Sequence, residues 1–258
     1  MRDFALHRPA SLAAATAAFA GSEGEAAYIA GGHTLIPAMK SRLRMPDALV
    51  DLTGLGLTGL AVEGGQLWIG AMTCHADVAT GATAIPGLAR MAAGIGDAQV
   101  RNRGTLGGSL ANNDPAADYP AAALALDAVI ETDRGRHSAD EFFQGMFSTA
   151  LADGEIITRV GFAIPQACAY AKFRHPVSRY AMVGVCVARH AAVWRVAVTG
   201  AGPGVFRWAE AETALNAGSD TAGLVLAADD LNSDIHASAD YRAHLCGVML
   251  KQALADLA

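Results

Sequence analysis

The sequence predicts an α+β protein in two parts: a ligand-binding domain over residues 1–166, and a smaller domain over residues 171–258 built from a three-stranded antiparallel sheet and helices. Three observations support this. The first stretch, residues 1–53, alternates short apolar runs with a glycine turn and a short helical pattern, a small βαβ-like unit ahead of a second subdomain at 54–166. Two long β-patterned runs, 180–190 and 192–199, lead through the turn Gly200-Ala201-Gly202-Pro203-Gly204 to a third at 205–208. Helical patterns then prevail at 209–216, around 221–228 and from 239 onward, which places helices on one face of that sheet.

Taken in order, Ser11 reads as the N-cap of a short amphipathic helix. The alanine-rich start is interrupted by Asp3, His7 and Arg8, so it is not read as a secretory leader. Tyr28-Ile29-Ala30 is a strand that stops at Gly31-Gly32, a short helix follows, and residues 48–52 form a second strand. Residues 60–63 and 66–70 pair as a hairpin about Gly64-Gly65. Thr73 is a candidate N-cap for a helix through Val78, and residues 86–94 form another helix. Beyond 121–126, which continues helical, residues 128–132 and 155–164 are strands, with Pro165 closing the second and a domain boundary at 166–171. In the last helix Tyr241, Leu245, Val248, Met249 and Leu254 recur at helical spacing and are assigned to the core, as are Trp68, Trp194 and Trp208.

Composition narrows the function. With 52% apolar and 17% charged residues and a net charge of -6, the chain has no basic field for nucleic acid. No run approaches the roughly 18 apolar residues of a membrane span. Cys74, Cys168, Cys186 and Cys246 form no C-x-x-C, which argues against a disulfide framework, a metal site or an iron–sulfur cluster and for a reducing, cytoplasmic setting. His75, His137, His175, His190, His236 and His244 show no metal-ligand pairing. Asp51, Asp97 and Glu155 suggest no acid–base pair.

The chemistry gathers in residues 101–121, RNRGTLGGSLANNDPAADYPA, read as a binding loop. Gly104, Gly107 and Gly108 permit positive φ or close approach to a ligand, and successive free N–H groups in such a turn suit a phosphate. Asp114 and Asp118 suit ribose or purine hydrogen bonds instead, so the implied ligand is a nucleotide. A solvated glycine loop has the same composition, and composition alone does not separate the two. A second glycine loop, Ala30 to Leu35, lies upstream and would grip an extended ligand from the other side. Neither loop has Rossmann or Walker spacing.

AGGHTLIPAMKSRL, QVRNRGTLGGSLANNDPAADYPA, KFRHPVSRYAMVGVCV and DIHASADYRAHLCGVMLKQAL, in this order over nearly the whole chain, resemble the medium, FAD-binding subunit of molybdenum hydroxylases of the carbon monoxide dehydrogenase and xanthine dehydrogenase type. The resemblance implies a two-part FAD domain of the vanillyl-alcohol-oxidase (PCMH) type and a carbon monoxide dehydrogenase flavoprotein-type C-terminal domain. It places noncovalent FAD against Ala30, Gly31, Gly32, His33, Thr34 and Leu35 on one side and Gly104, Thr105, Gly107, Gly108, Ser109 and Asp114 on the other. Asp118 would bond the ribityl or ribose region, Ile156 and Ile157 would pack on the adenine side, Lys172 would lie at the cofactor's edge, and Tyr180 would approach the isoalloxazine. Ser109 stands where many relatives have Asn, keeping a hydroxyl but losing the amide's reach.

The implied partners are a small 2Fe-2S subunit and a large molybdopterin subunit, in a dimer of heterotrimers, with this chain as the electron exit. Two other readings are a stand-alone FAD-dependent oxidoreductase of the same fold, for which no catalytic constellation is visible, and a non-catalytic nucleotide-binding domain. The substrate is chosen in another chain. The final acceptor, whether NAD, a quinone, a cytochrome or oxygen, is left open.

Overall fold

The computed structural model describes residues 2–257. Its N-terminal unit runs β1 (Ala5–His7), α1 (Leu12–Ala20), β2 (Ala26–Ile29), α2 (Leu35–Lys40) and β3 (Ala48–Asp51). The three strands are parallel in the order β1-β3-β2, with Leu6 opposite Leu49 and Tyr28 opposite Val50. Ser11 caps α1 by accepting from the Ala14 N–H at 3.2 Å. Alternation along β3 divides the unit's packing. Val50 packs with Ala15 of α1, while Leu49 packs with Met39 of α2 on the opposite face.

A second group follows: β4 (Leu60–Glu63), β5 (Gln66–Gly70), α3 (His75–Gly81), α4 (Pro86–Ala93), α5 (Ala98–Arg101), α6 (Leu106–Asn112), α7 (Tyr119–Ala125), β6 (Val129–Thr132), β7 (Arg136–Ser138), α8 (Ala139–Phe142), β8 (Phe143–Gly145), β9 (Ser148–Thr149) and β10 (Ile157–Ala163). Five of these strands form an antiparallel sheet, β4-β5-β10-β6-β7. Its hairpin turn has Gly64 and Gly65 at φ 58° and 78°, the two positive angles a tight two-residue turn demands. Ile69, Ile130, Val160 and Phe162 face Leu88, Leu106, Leu110 and Leu126, all buried. Trp68 points the other way, under the Arg159 guanidinium at 4.1 Å.

Residues 101–121 are not one loop. Residues 106–112 form α6, and α7 begins at Tyr119. Glycine is a poor helix former, but tertiary packing overrides propensity here: Thr105 caps the helix and Leu106, Gly107 and Leu110 are buried. Thr73 is likewise not the cap of α3. Cys74 takes that position, and the Thr73 hydroxyl receives the Gly59 N–H instead.

The last group contains β11 (Ala167–Arg174), β12 (Ala181–His190), β13 (Val193–Thr199), β14 (Phe206–Arg207), α9 (Ala209–Asn216) and α10 (Ala239–Ala255). The antiparallel sheet has four strands, β11-β12-β13-β14, where the sequence predicted three. The missed strand reads ACAYAKFR and lacks the β-branched residues that mark β12 and β13. Residues 167–171, at the expected boundary, are therefore paired backbone. Residues around 221–228 form turns instead of the expected helix: Gly218 takes φ 68°, Asp220 receives the Ala222 N–H, and Gly223 interrupts the apolar pattern. Both faces of the sheet are covered. Val183, Val185 and Val187 pack with Leu245, Cys246 and Leu250 of α10, while Cys186 and Ala188 join the core of the second group. Of the α10 stripe expected in the core, Leu245 is buried and Met249 and Leu254 pack against it, but Tyr241 and Val248 are exposed because they lie on the solvent side of the helix. That is why β12 reads as a continuous apolar run.

Candidate functional site

The two glycine loops meet. Gly31, just past β2, lies so close to the other loop that an added Cβ would overlap the Arg103 carbonyl oxygen and stand 2.9 Å from the Gly104 Cα. Gly32 turns the chain at φ 75° and receives the Ile36 N–H at 3.0 Å. The His33 ring is tied to the same neighbouring segment, its Nε2 3.3 Å from the Gln99 carbonyl. The N–H groups of Gly31, Gly32, His33 and Thr34 donate to no acceptor among the described residues. Consecutive unengaged N–H groups in a turn form a concave anion site.

The second loop is supported from beneath. The Gly104 backbone sits on the imidazole of His75, whose Nε2 is 2.5 Å from the position a Cβ would occupy, and the Gly104 carbonyl receives the His75 N–H at 3.0 Å. Gly107 donates to the Ala71 carbonyl at 2.8 Å, and an added Cβ would lie 2.6 Å from the Ala71 Cβ. Its lack of a side chain thus serves helix-to-strand packing. Gly108 donates to Thr105 Oγ1 at 3.2 Å and has Ala30 as its neighbour across the gap, 3.6 Å from where a Cβ would stand. Ser109 lies half-buried on α6. Beyond α6, Asn113 takes φ 43° and anchors the chain by donating to the Gly145 and Ser148 carbonyls at 2.8 and 2.7 Å. Asp114 then receives the Ala116 N–H at 2.9 Å in a side-chain-closed turn.

Asp118 and Lys172 meet across the boundary between the second and last groups. The Lys172 ammonium lies 2.9 and 3.0 Å from the two carboxylate oxygens of Asp118 and donates to the Gly94 carbonyl at 3.2 Å. The Tyr170 hydroxyl donates to the same carboxylate at 2.5 Å. The side chains of Asp118 and Lys172 are only 5% and 4% exposed. Burial pushes the Asp118 carboxyl up, while Lys172 and Tyr170 pull it back; the same burial, together with Asp118, drives the Tyr170 phenol far up. Tyr170 was not foreseen, although period-two alternation puts it on the same strand face as Lys172.

His75 and Tyr119 were also missed, and no sequence pattern marks them. Their rings are 5.3 Å apart, and His75 Nδ1 and the Tyr119 hydroxyl are buried without a partner among the described residues. Burial, and then the nearby His33 and Arg101, lower the His75 pKa to about 4, so the ring is neutral at neutral pH. Tyr180, in the turn after β11, is 46% exposed; desolvation and the carboxylates of Asp114 and Asp118 raise its phenol. Ile156 is buried in a cluster with Val50 and Met72, against Ala30, and Ile157 lies in the central core. A cavity of 260 Å³ opens beside the loop junction, walled by Ile29, Ile36, Met39 and Leu49, with Arg8, Asp51 and Arg103 also in its lining; neither Ile156 nor Ile157 lines it.

A family model described as the FAD binding domain in molybdopterin dehydrogenase matches residues 2–167. The chain belongs to this family. Among curated proteins it is similar to the carbon monoxide dehydrogenase medium chain of Hydrogenophaga pseudoflava, 33% identical over 97% of this chain and 96% of that protein. It is also similar to the nicotine 6-hydroxylase medium subunit of Paenarthrobacter nicotinovorans, 35% identical over 91% of this chain and 90% of the relative. Among solved structures, reconstituted CO dehydrogenase from Oligotropha carboxidovorans superposes with a TM-score of 0.88 at 32% identity, covering 99% of this chain and 98% of the other. The residues present fit FAD: an unengaged N–H cradle for a pyrophosphate, a glycine where two loops touch, and a cavity of apolar walls with a few polar groups beside them.

Proposed function

We propose that this chain is the FAD-binding electron-transfer subunit of a molybdenum hydroxylase complex. The observation that carries the reading is the junction of Gly31 with Arg103 and Gly104, beside four unengaged N–H groups. Those N–H groups, from Gly31 to Thr34, would hold the pyrophosphate, with Thr105, Gly108 and Ser109 bordering the cofactor from the facing loop. Asp118, bound and oriented by Lys172 and Tyr170, would accept hydrogen bonds from the ribityl or ribose hydroxyls, and Lys172 itself would lie at the cofactor's edge. Asp114 would border the same region, and Tyr180 would approach the ring system. His33, bound to the Gln99 carbonyl, would order the loop and form no covalent link.

FAD in this position supplies a centre that takes electrons one at a time and passes them on singly or in pairs. The protein contributes placement and exclusion of water. Among the described residues no group of three His, Cys, Asp or Glu side chains stands where it could hold a metal ion, and the reading assigns the 2Fe-2S clusters and the molybdenum cofactor to a small and a large partner subunit. The relatives' names, medium chain and medium subunit, support that division. The arrangement is a dimer of heterotrimers in the cytoplasm; no helix among the described residues is long and apolar enough to cross a membrane. The FAD-binding unit is residues 1–166, in two subdomains, and the C-terminal unit starts with β11 at Ala167.

Co-expression with the genes of both partners tests this. The expected product is one complex carrying one FAD per copy of this chain, with flavin reduced by the substrate only when the 2Fe-2S subunit is present. A chain that purifies alone and turns over a substrate unaided contradicts it.

A further inference from the structure

Four arginines, Arg101, Arg103, Arg174 and Arg179, lie near the second loop without a carboxylate partner, as also holds for Arg42, Arg90, Arg134 and Arg189, whereas the ion pairs of the described residues engage Arg2, Arg8, Arg44, Arg136, Arg159, Arg195, Arg207 and Arg242. Arg101 donates from Nη1 to the carbonyls of Ile95 at 2.9 Å and Gly96 at 3.3 Å. Arg179, in the turn between β11 and β12, reaches the same Gly96 carbonyl at 3.5 Å. Arg174 Nη2 is 2.9 Å from the position of a Cβ on Gly94, and Arg103 is exposed at the loop junction. Arg101, Arg174 and Arg179 converge on the segment that follows the C-terminus of α4, while Arg103 stands at the loop junction. Carbonyls there attract cations, but they do not neutralise them.

Three of the four neighbouring acids are committed. Asp97 caps α5 through the Val100 N–H at 2.9 Å, Asp114 closes its own turn, and Asp118 is bound by Lys172. Asp77, which acts on Cys74, makes no ion pair with any of the four. Two guanidinium groups sharing one carbonyl repel each other, and an external anion would relieve that repulsion. In a chain of net charge -6 the sign of the field is locally reversed.

The shape of the patch indicates the kind of partner. Pro176, Val177, Ser178, Arg179 and Tyr180 are all exposed, Val177 at 85%. This is a protruding turn with an apolar tip and a cationic rim. Small ligands need concave sites, whereas weak electron-transfer encounters between proteins use small patches with charged rims. We propose that this rim is the docking surface for the external electron acceptor, and that the acceptor is a protein presenting an acidic face. The proposal rests on the reading above, which puts the cofactor behind the rim.

The test uses the assembled complex and fluorescein-labelled poly-L-glutamate as an acidic probe, read by fluorescence anisotropy. The wild-type complex is expected to bind the probe at low ionic strength and to lose it as salt shortens the screening length below about 10 Å. The double variant Arg174→Glu/Arg179→Glu should weaken binding at least tenfold. Arg189→Glu, at the other end of β12 where Arg189 lies 5.5 Å over Trp194, should leave it unchanged. Absence of wild-type binding, or equal weakening by Arg189→Glu, overturns the proposal. So does loss of the 2Fe-2S subunit from the double variant, which would assign the patch to an interface within the complex, or displacement of the probe by stoichiometric NADH, which would make it a dinucleotide site. Flavin content of the same preparations separates the two readings. A colourless complex with arginine-dependent binding fails the FAD reading alone, and a flavin-loaded complex without binding fails this one alone.

Discussion

Replacing Gly31 with alanine adds one methyl group at the point where the two loops touch. Gly31 is not among the residues with positive φ, so alanine fits the backbone and would by itself stabilise the fold by about 0.4–1 kcal/mol through the unfolded state. Against this, the new Cβ would overlap the Arg103 carbonyl oxygen and lie 2.8 Å from its carbon and 2.9 Å from the Gly104 Cα. All three atoms are backbone, and none can rotate away. Restoring ordinary contact at roughly 3.5–4.0 Å moves the loops apart by about 1.5 Å. Such overpacking costs about 1–3 kcal/mol. The net loss of fold stability is then about 0–2.5 kcal/mol, a drop in Tm of at most several degrees. Cofactor binding should suffer more. Misaligning one or two charge-assisted hydrogen bonds, each worth about 1.5–3 kcal/mol, raises the Kd for FAD by about 10- to 10,000-fold. Titration of the apoprotein with FAD, followed by flavin fluorescence alongside thermal unfolding, measures both. Gly56→Ala is the control: at φ 67° with nothing within 4 Å, it should destabilise the fold and leave FAD affinity unchanged. Wild-type FAD affinity in Gly31→Ala would refute the reasoning.

Other outcomes follow from the buried groups. His75 has a folded pKa of about 4 against 6.5 unfolded, so between those values the unfolded chain binds a proton that the folded chain refuses. Its contribution is complete above pH 6.5 and falls by about 3 kcal/mol as the pH drops to 4; His75→Gln should flatten that part of the pH–stability curve, and an unchanged curve would remove His75 as its source. Asp118→Asn leaves the Lys172 ammonium buried without its carboxylate and should cost about 3–5 kcal/mol, part of it recovered in the double variant with Lys172→Met; additive effects in denaturant unfolding would show that the two are not coupled. Gly107→Val should unfold the region around α6 instead of selectively expelling FAD, because the Cβ, carbonyl oxygen and Cα of Ala71 fill the space a side chain would take. A folded Gly107→Val chain with unchanged Tm would contradict that packing.

The sequence revealed what depends on local chemistry. The Gly64-Gly65 turn, the Ser11 cap and the strand-to-glycine stop at Gly31 are short-range signals, and each stands where the pattern put it. The valine-rich β12 and β13 were equally plain. What was hidden depends on tertiary contact. Strand β11 is rich in alanine and becomes a strand by pairing along β12; α6 contains two glycines and becomes a helix because Leu106 and Leu110 have a core to enter. Within the site, pairing of the two glycine loops could be argued from sequence, whereas the support of Gly104 by His75 and the use of Gly107 to approach Ala71 could not. These contacts join residues about 30 positions apart through packing alone, and no periodicity records them.

The most direct test of FAD binding is the visible spectrum of the purified chain, with its flavin quantified before and after acid precipitation. The expected result is flavin absorbance, one FAD per chain, and complete release of that FAD into the acid supernatant. A colourless chain that ignores added FAD, or flavin that stays with the precipitated protein, would contradict it.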